Sequence, residues 1–112
     1  MATAFAQEAL RIRDVGHLSD RQISQAVRAA PSTVRDWFAG RSSPTGIRAE
    51  RVAELAEVVD RLTRVMDPDY IPVWLERPIE ALGDQKPINL IRQGKAARVA
   101  RVVSGLESPG AV

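Results

Sequence analysis

Residues 18–41, LSDRQISQAVRAAPSTVRDWFAGR, restrict the possible folds of this chain more than any other stretch. Ser19, with Gln22 three residues later, forms a capping box, which predicts the start of a helix. Pro31 is disfavoured inside a helix and favoured in its first turn, so it predicts the start of a second one. Gly40 is typical of the residue that follows a helix. The stretch therefore predicts two short helices joined by a tight turn.

The apolar residues of this stretch are spaced so that the two helices pack against each other. Ile23 and Val27 lie one turn apart on the first helix, and Val34 and Trp37 face inward from the second. This spacing is typical of a helix-turn-helix, whose second helix enters the major groove of DNA. We expect the polar residues of the second helix to face base edges, namely Ser32, Thr33, Arg35 and Asp36.

The segment PSTVRDWFAGR resembles the recognition helix of the Xre/Cro-like regulators. The resemblance implies DNA binding, and we expect Gln22, Arg28 and Arg41 to contact phosphates beside that helix. Two residues depart from the family pattern. Arg28 stands at a turn position where glycine is common, and Ala30 stands where a serine usually caps the recognition helix. A helical hairpin without a nucleic-acid role is the alternative.

The charge distribution agrees with this placement of a DNA-binding segment. The 112-residue chain has a formal net charge of +2. Residues 1–48 carry seven arginines and four acids, residues 49–66 three arginines and four acids, and residues 67–112 six of each sign. Arginine suits both phosphate and guanine contacts. An excess of three positive charges predicts only modest DNA affinity for a single subunit, so we expect several copies to act together.

The chain lacks the residues that several classes of protein need for their function. The chain has no cysteine, which excludes disulfides and thiolate metal sites. Its one histidine, His17, has no metal-ligand spacing around it and is expected to be a turn residue. There is no glycine-rich phosphate loop and no paired-carboxylate motif, so we expect neither enzyme activity nor a metal or cofactor. No apolar run could span a membrane and no secretory signal is present, which favours a cytoplasmic protein.

The first predicted helix covers residues 3–15, where apolar residues recur at spacings of four and three. Gly16 is typical of the position after a helix end. The residues expected on the inner face are Phe5, Ala9, Ile12 and Val15.

The longest predicted helix covers residues 47–66 and carries a seam of apolar residues at spacings of three and four. The apolar surface is wider than one stripe, so two faces need to be buried. One face can close the helix-turn-helix core, which leaves the other for the C-terminal half or for a second subunit. The seam consists of Val52, Leu55, Val59, Leu62 and Met66, widened by Ala56, Val58 and Val65.

No stretch alternates apolar and polar residues over enough positions to predict a strand. Proline and glycine instead divide the C-terminal half into short predicted helices, followed by a flexible tail at residues 108–112. We therefore expect an all-α chain with three segments. Residues 1–46 form a helix-turn-helix bundle, residues 47–66 a linking and dimerisation helix, and residues 67–112 a small helical C-terminal domain.

The segment VWLERPIEALGDQKPINLIRQGKAARVARVV is similar to the C-terminal domain of the MbcA/ParS/Xre antitoxins. In that family a tryptophan-bearing helix leads into P-x-x-x-L-G, a Pro-started helix, a glycine and a final helix. With the helix-turn-helix, the resemblance covers nearly the whole chain. It departs at residues 83–85, where the pattern often has a second glycine or a basic residue. The matching residues are Trp74, Leu75, Pro78, Leu82, Gly83, Pro87, Leu90, Ile91, Gly94 and Val99.

This resemblance implies a protein partner. Antitoxins of the family neutralise a RES-domain toxin that degrades NAD or transfers its ADP-ribose, and their N-terminal half binds the operator of their own genes. The final helix and the tail are expected nearest to the toxin's NAD pocket. The residues expected to contact the toxin are Trp74, Leu75, Pro87, Leu90, Ile91, Gly94, Arg98, Arg101, Val102 and Leu106.

Two functional hypotheses remain open from the sequence. In the first, the chain is an antitoxin that blocks its toxin and represses its own operon as a homodimer within a larger complex. In the second, it is a plain helix-turn-helix regulator whose C-terminal half only dimerises. The two hypotheses also differ in the role of Trp74, Leu90 and Ile91, which either contact the toxin or pack on the long helix.

Overall fold

A computed structural model describes residues 11–107 of the chain. The helical residues 11–16 form α1, which is followed by α2 (Asp20–Val27), α3 (Pro31–Phe38) and α4 (Gly46–Leu62). The second half contains a 3-10 turn (Pro68–Tyr70), α5 (Ile71–Leu75), another 3-10 turn (Glu80–Leu82), α6 (Pro87–Arg92) and α7 (Ala96–Glu107). Between residues 11 and 107 there is no strand, and only an isolated bridge joins Ile79 to Gln85. The all-α prediction is confirmed.

The predicted pair of short helices is present as α2 and α3. The backbone amide of Gln22 donates to the hydroxyl of Ser19 at 3.1 Å, and the amide of Ser19 donates to Oε1 of Gln22 at 3.2 Å. This is the expected capping box. Pro31 begins α3, and Arg28 ends α2 in the left-handed conformation, with φ 62° and ψ 45°. Arginine thus adopts a backbone conformation here that favours glycine.

The first helix ends differently from the prediction. Gly16 is helical and buried, and His17 is the residue with positive φ, at 57°. A Cβ on Gly16 would lie 2.6 Å from Cγ1 of Val59, so glycine here allows α1 to approach α4 closely. Ile12 is buried as expected, whereas Val15 is 39% exposed and does not belong to the inner face. Phe5 and Ala9 lie outside the described residues.

The long helix α4 is central to the core. It ends at Leu62, four residues before the predicted end, because residues 63–65 form a turn. It packs against α2 on one side and against α6 and α7 on the other, so both of its apolar faces are covered. Its buried apolar residues are Val52, Leu55, Val58, Val59 and Leu62.

The N-terminal and C-terminal halves share one core. Helix α2 packs directly on α6, and buried residues from both halves form a single hydrophobic cluster. Polar contacts join the same helices, because Gln25 Nε2 donates to Oδ1 of Asn89 at 2.9 Å and Arg92 donates to the carbonyl of Gln25 at 2.9 Å. The functional segments expected from the sequence are therefore parts of one packed unit. None of the described helices has the length and apolarity needed to cross a membrane.

Candidate functional site

The outer face of α3 is the first candidate site. Val34 is fully buried and Trp37 is 6% exposed, so these two residues attach α3 to the core. Ser32 and Arg35 are exposed, and Thr33 and Asp36 are partly exposed. The structure thus places all four predicted base-contacting residues where solvent reaches them.

Within that face, Arg35 and Arg41 differ in their partners. Arg41 donates to Oδ1 of Asp36 through Nε at 3.0 Å and through Nη2 at 2.9 Å. This pair offsets the negative charge of Asp36 beside α3. Arg35 is exposed on the same helix, and none of the ion pairs described within residues 11–107 involves it. A guanidinium can bond O6 and N7 of guanine together, which makes Arg35 the best candidate for a base contact.

Two further arginines lie beside the turn between α2 and α3. The carbonyl oxygen of Arg28 accepts a hydrogen bond from Nε of Arg48 at 3.3 Å, and both residues are exposed. Arg48 belongs to the first turn of α4, and it is not among the DNA-contacting residues expected from the sequence. The sequence signal that could have indicated Arg48 is its place in the arginine-rich residues 1–48, which also contain the predicted phosphate contacts. The structure therefore adds Arg48 to the arginines beside the turn between α2 and α3.

Gln22 does not belong to that surface. It is only 9% exposed, and its Nε2 donates to the carbonyl of Pro72 at 3.0 Å and to Oε2 of Glu76 at 2.9 Å. Its Oε1 accepts from the amide of Ser19. These polar groups of Gln22 are occupied within the fold, where they join α2 to α5. The expectation that Gln22 contacts a phosphate is therefore wrong, and its role is structural.

The predicted toxin-contacting residues of α5 and α6 are also buried. Trp74 is 7% exposed, and Leu75, Leu90 and Ile91 are 0% exposed, while Pro87 is buried at the start of α6. Helices of five or six residues are not stable by themselves and depend on apolar packing. These five residues therefore build the core, and the expectation of direct partner contact through their side chains is corrected.

The exposed candidates of the C-terminal half are on α7. Val99 and Val103 are fully buried and attach this helix to the core. Arg101 is exposed, Leu106 is 45% exposed, and Arg98 and Val102 are partly exposed. Four of the predicted contact residues therefore lie on one helix. Gly94 lies in the exposed connection just before this helix.

His17 occupies a turn, as the sequence predicts. Its Nδ1 lies 2.7 Å from Oδ1 of Asp69, so the pair joins the α1–α2 connection to the 3-10 turn after α4. Across residues 11–107, no group of three or more histidine, aspartate or glutamate residues is placed to hold a metal ion.

Comparison with known proteins identifies close relatives. No family model matches the sequence. The mycobacterial cidal antitoxins MbcA of Mycobacterium bovis and Mycobacterium tuberculosis are 33% identical over 89 residues, which are 80% of this chain and 79% of theirs. The fold is similar to a chain in the crystal structure of the M. tuberculosis MbcT–MbcA toxin–antitoxin complex. That match has a TM-score of 0.87 and 28% identity, and it covers 98% of this chain and 99% of the other.

Proposed function

This chain belongs to the family of the MbcA antitoxins, and on that basis we propose that it binds and blocks a toxin and represses its own operon. The toxin in this proposal is a RES-domain protein that consumes NAD and is encoded beside this chain. The similarity to a chain of a solved toxin–antitoxin complex, over 98% of the length, is the single observation that carries the toxin-binding part.

The proposed toxin-binding surface is the exposed side of α7. Leu106 and Val102 supply apolar area that a partner can bury, which is the main source of binding free energy in protein interfaces. Arg98 and Arg101 lie on the same helix and would pair with acidic groups of the toxin, which adds specificity and speeds association. Helix α6 packs against α7 and supports this surface.

The proposed DNA-binding surface is the outer face of α3 with the arginines around it. Ser32, Thr33, Arg35 and Asp36 face the base edges in this proposal. Arg28, Arg41 and Arg48 neutralise phosphates and set the position of the helix on the duplex. A homodimer would place two α3 helices about 34 Å apart, which matches successive major grooves on one side of the DNA.

One observation favours the second candidate, a plain regulator without a toxin. Five of the predicted toxin contacts are buried in the core, so the C-terminal half presents less contact surface than the sequence suggests. In that alternative the exposed side of α7 pairs with a second copy of the chain.

Co-expression with the neighbouring reading frame separates the two candidates. The tagged full-length chain is purified, and the mass of the intact complex is measured. The proposed function predicts a complex that contains both proteins. Recovery of this chain alone, as a monomer or homodimer that still binds DNA, would support the regulator and contradict the antitoxin.

A further inference from the structure

The last described turn of α7 contains two residues that favour helix formation poorly. Ser104 and Gly105 both have low helix propensity, glycine most of all. Glu107, in the last described turn of α7, lies toward the C-terminal side of the helix, where the helix dipole disfavours a negative charge, and this turn contains no basic residue. The turn also has little apolar support, since Leu106 is 45% exposed. Contacts from another part of the protein therefore add to the order of this turn.

Two arginines of the α4 C-terminal region supply that support, and we name Arg61 and Arg64 the arginine clamp. Arg61 Nη1 donates to the hydroxyl of Ser104 at 2.9 Å and lies 4.0 Å from Oε1 of Glu107. Arg64 Nη1 lies 3.6 Å from Oε2 of Glu107. The Glu107 side chain is only 24% exposed, and its Oε1 is buried without a hydrogen-bond partner among the described residues. The two guanidiniums thus offset a partly buried charge at the unfavourable end of α7.

Acidic residues hold the arginine clamp in position. Nη2 of Arg61 lies 3.3 Å from Oε1 of Glu57, and Nη2 of Arg64 lies 3.2 Å from Oδ2 of Asp60. Asp60 also accepts from Arg11 of α1 at 2.9 Å. A single exposed ion pair contributes little to stability, but this network joins three helices and orients both guanidiniums before α7 contacts them.

We propose that the arginine clamp orders the last turn of α7 and thereby sets the affinity of the chain for its toxin. This inference rests on the proposed function. A binding surface that is ordered in advance avoids the loss of conformational entropy on association. Arg61 and Arg64 are positioning residues in this account, because they act through Ser104 and Glu107 and not by touching the toxin.

The test compares the full-length chain with its double variant Arg61→Gln/Arg64→Gln. We expect the affinity for the purified toxin to fall about tenfold, the size expected for the loss of preorganisation in a few residues. Amide hydrogen exchange at residues 104–107 should become faster, while exchange in α2 should not change. The double variant Arg77→Gln/Lys86→Gln is a charge-matched control outside α7, and we expect it to bind the toxin as the original chain does.

Gly105→Ala, added to the clamp variant, shows whether the arginines raise toxin affinity by ordering the last turn or by contacting the toxin. A Cβ at Gly105 meets no atom within 4 Å, so this change raises helix propensity without adding a contact. We expect it to slow the amide exchange of the last turn again and to restore most of the affinity.

Three results would count against the inference. Unchanged toxin affinity in the clamp variant would overturn it. Restored amide exchange without restored affinity would also overturn it, because the arginines would then contact the toxin directly. A chain without substitutions that binds no toxin would overturn the proposed function and this inference together, whereas the first two results leave the proposed function intact.

Discussion

Arg51 of α4 occupies the space beside Gly94 in which any other residue would place its Cβ. An ideal Cβ on Gly94 would lie 2.6 Å from Nη2 of Arg51. The Arg51 side chain is 10% exposed, and its Nη1 lies 3.1 Å from Oε1 of Glu54. Gly94 has a φ of +83°, which disfavours other residues independently of space. The glycine between α6 and α7 thus serves both the turn and the packing of an arginine from α4.

Gly94→Ala is expected to destabilise the protein by about 1–3 kcal/mol, since it combines positive-φ strain with overlap at Arg51. The free energy of unfolding, measured by urea titration, checks this. Gly105→Ala is the matched control, because its Cβ has open space and its backbone is helical, and it should be neutral or slightly stabilising. Equal stability of the two variants would contradict the packing described for Arg51.

Gly16→Ala tests the close approach of α1 to α4. The added Cβ would lie 2.6 Å from Cγ1 of the buried Val59, so we expect a loss of about 1–3 kcal/mol in the free energy of unfolding. In the background of Val59→Ala, which removes the overlapping methyl groups, the same change should lose much less. Additive losses in this double-mutant cycle would show that the two residues do not oppose each other.

Ala30→Ser tests the cap of α3. Ala30 is the N-cap residue of this helix and makes no side-chain hydrogen bond there. A serine hydroxyl can accept from a free amide of the first turn, so we expect a gain of about 1 kcal/mol in the free energy of unfolding. Ala30→Leu has no acceptor and should give no gain, which makes it the control. Thermal unfolding of the two variants compares them, and a serine variant with no higher melting temperature than the leucine variant would refute the prediction.

Arg35→Ala tests the DNA-binding surface. If Arg35 contacts a guanine, its loss should weaken operator binding by about 1–3 kcal/mol and relax specificity at one base pair. Binding is measured on operator and random duplexes at the same salt concentration. Arg77→Ala, a basic residue outside this surface, should leave operator affinity unchanged. An equal loss on both duplexes for Arg35→Ala would mean that the residue contacts phosphate alone.

Local signals in the sequence were enough to predict where α2 and α3 begin. The capping box of Ser19 and the position of Pro31 depend on residues within a few positions of each other, and both are found where they were predicted. The end of α1 was predicted less well, because Gly16 packs closely against Val59 of another helix, and no local pattern indicates this contact.

The candidate sites were predicted only in part, because burial depends on contacts between distant residues. Gln22 has its partners at Pro72 and Glu76, fifty or more positions away, and no local pattern indicates them. Trp74 and Leu90 have the same apolar character whether they face the core or a partner protein. The exposed residues of α3 were correctly predicted as exposed. Val34 faces the core, and the helical period then determines which residues lie on the opposite, solvent-facing side.

Inhibition of the proposed NAD-consuming toxin by the C-terminal half is the central claim, and the rate of NAD loss in the presence of that toxin tests it most directly. The purified toxin is incubated with increasing amounts of the full-length chain or of residues 1–103, and operator binding serves as the control for folding. We expect the full-length chain to stop NAD loss at about equimolar amounts. The shortened chain should bind DNA but require at least roughly tenfold more protein, because it lacks Leu106 and the last turn of α7. NAD loss that continues with excess full-length chain, or that both chains stop equally well, would contradict the account.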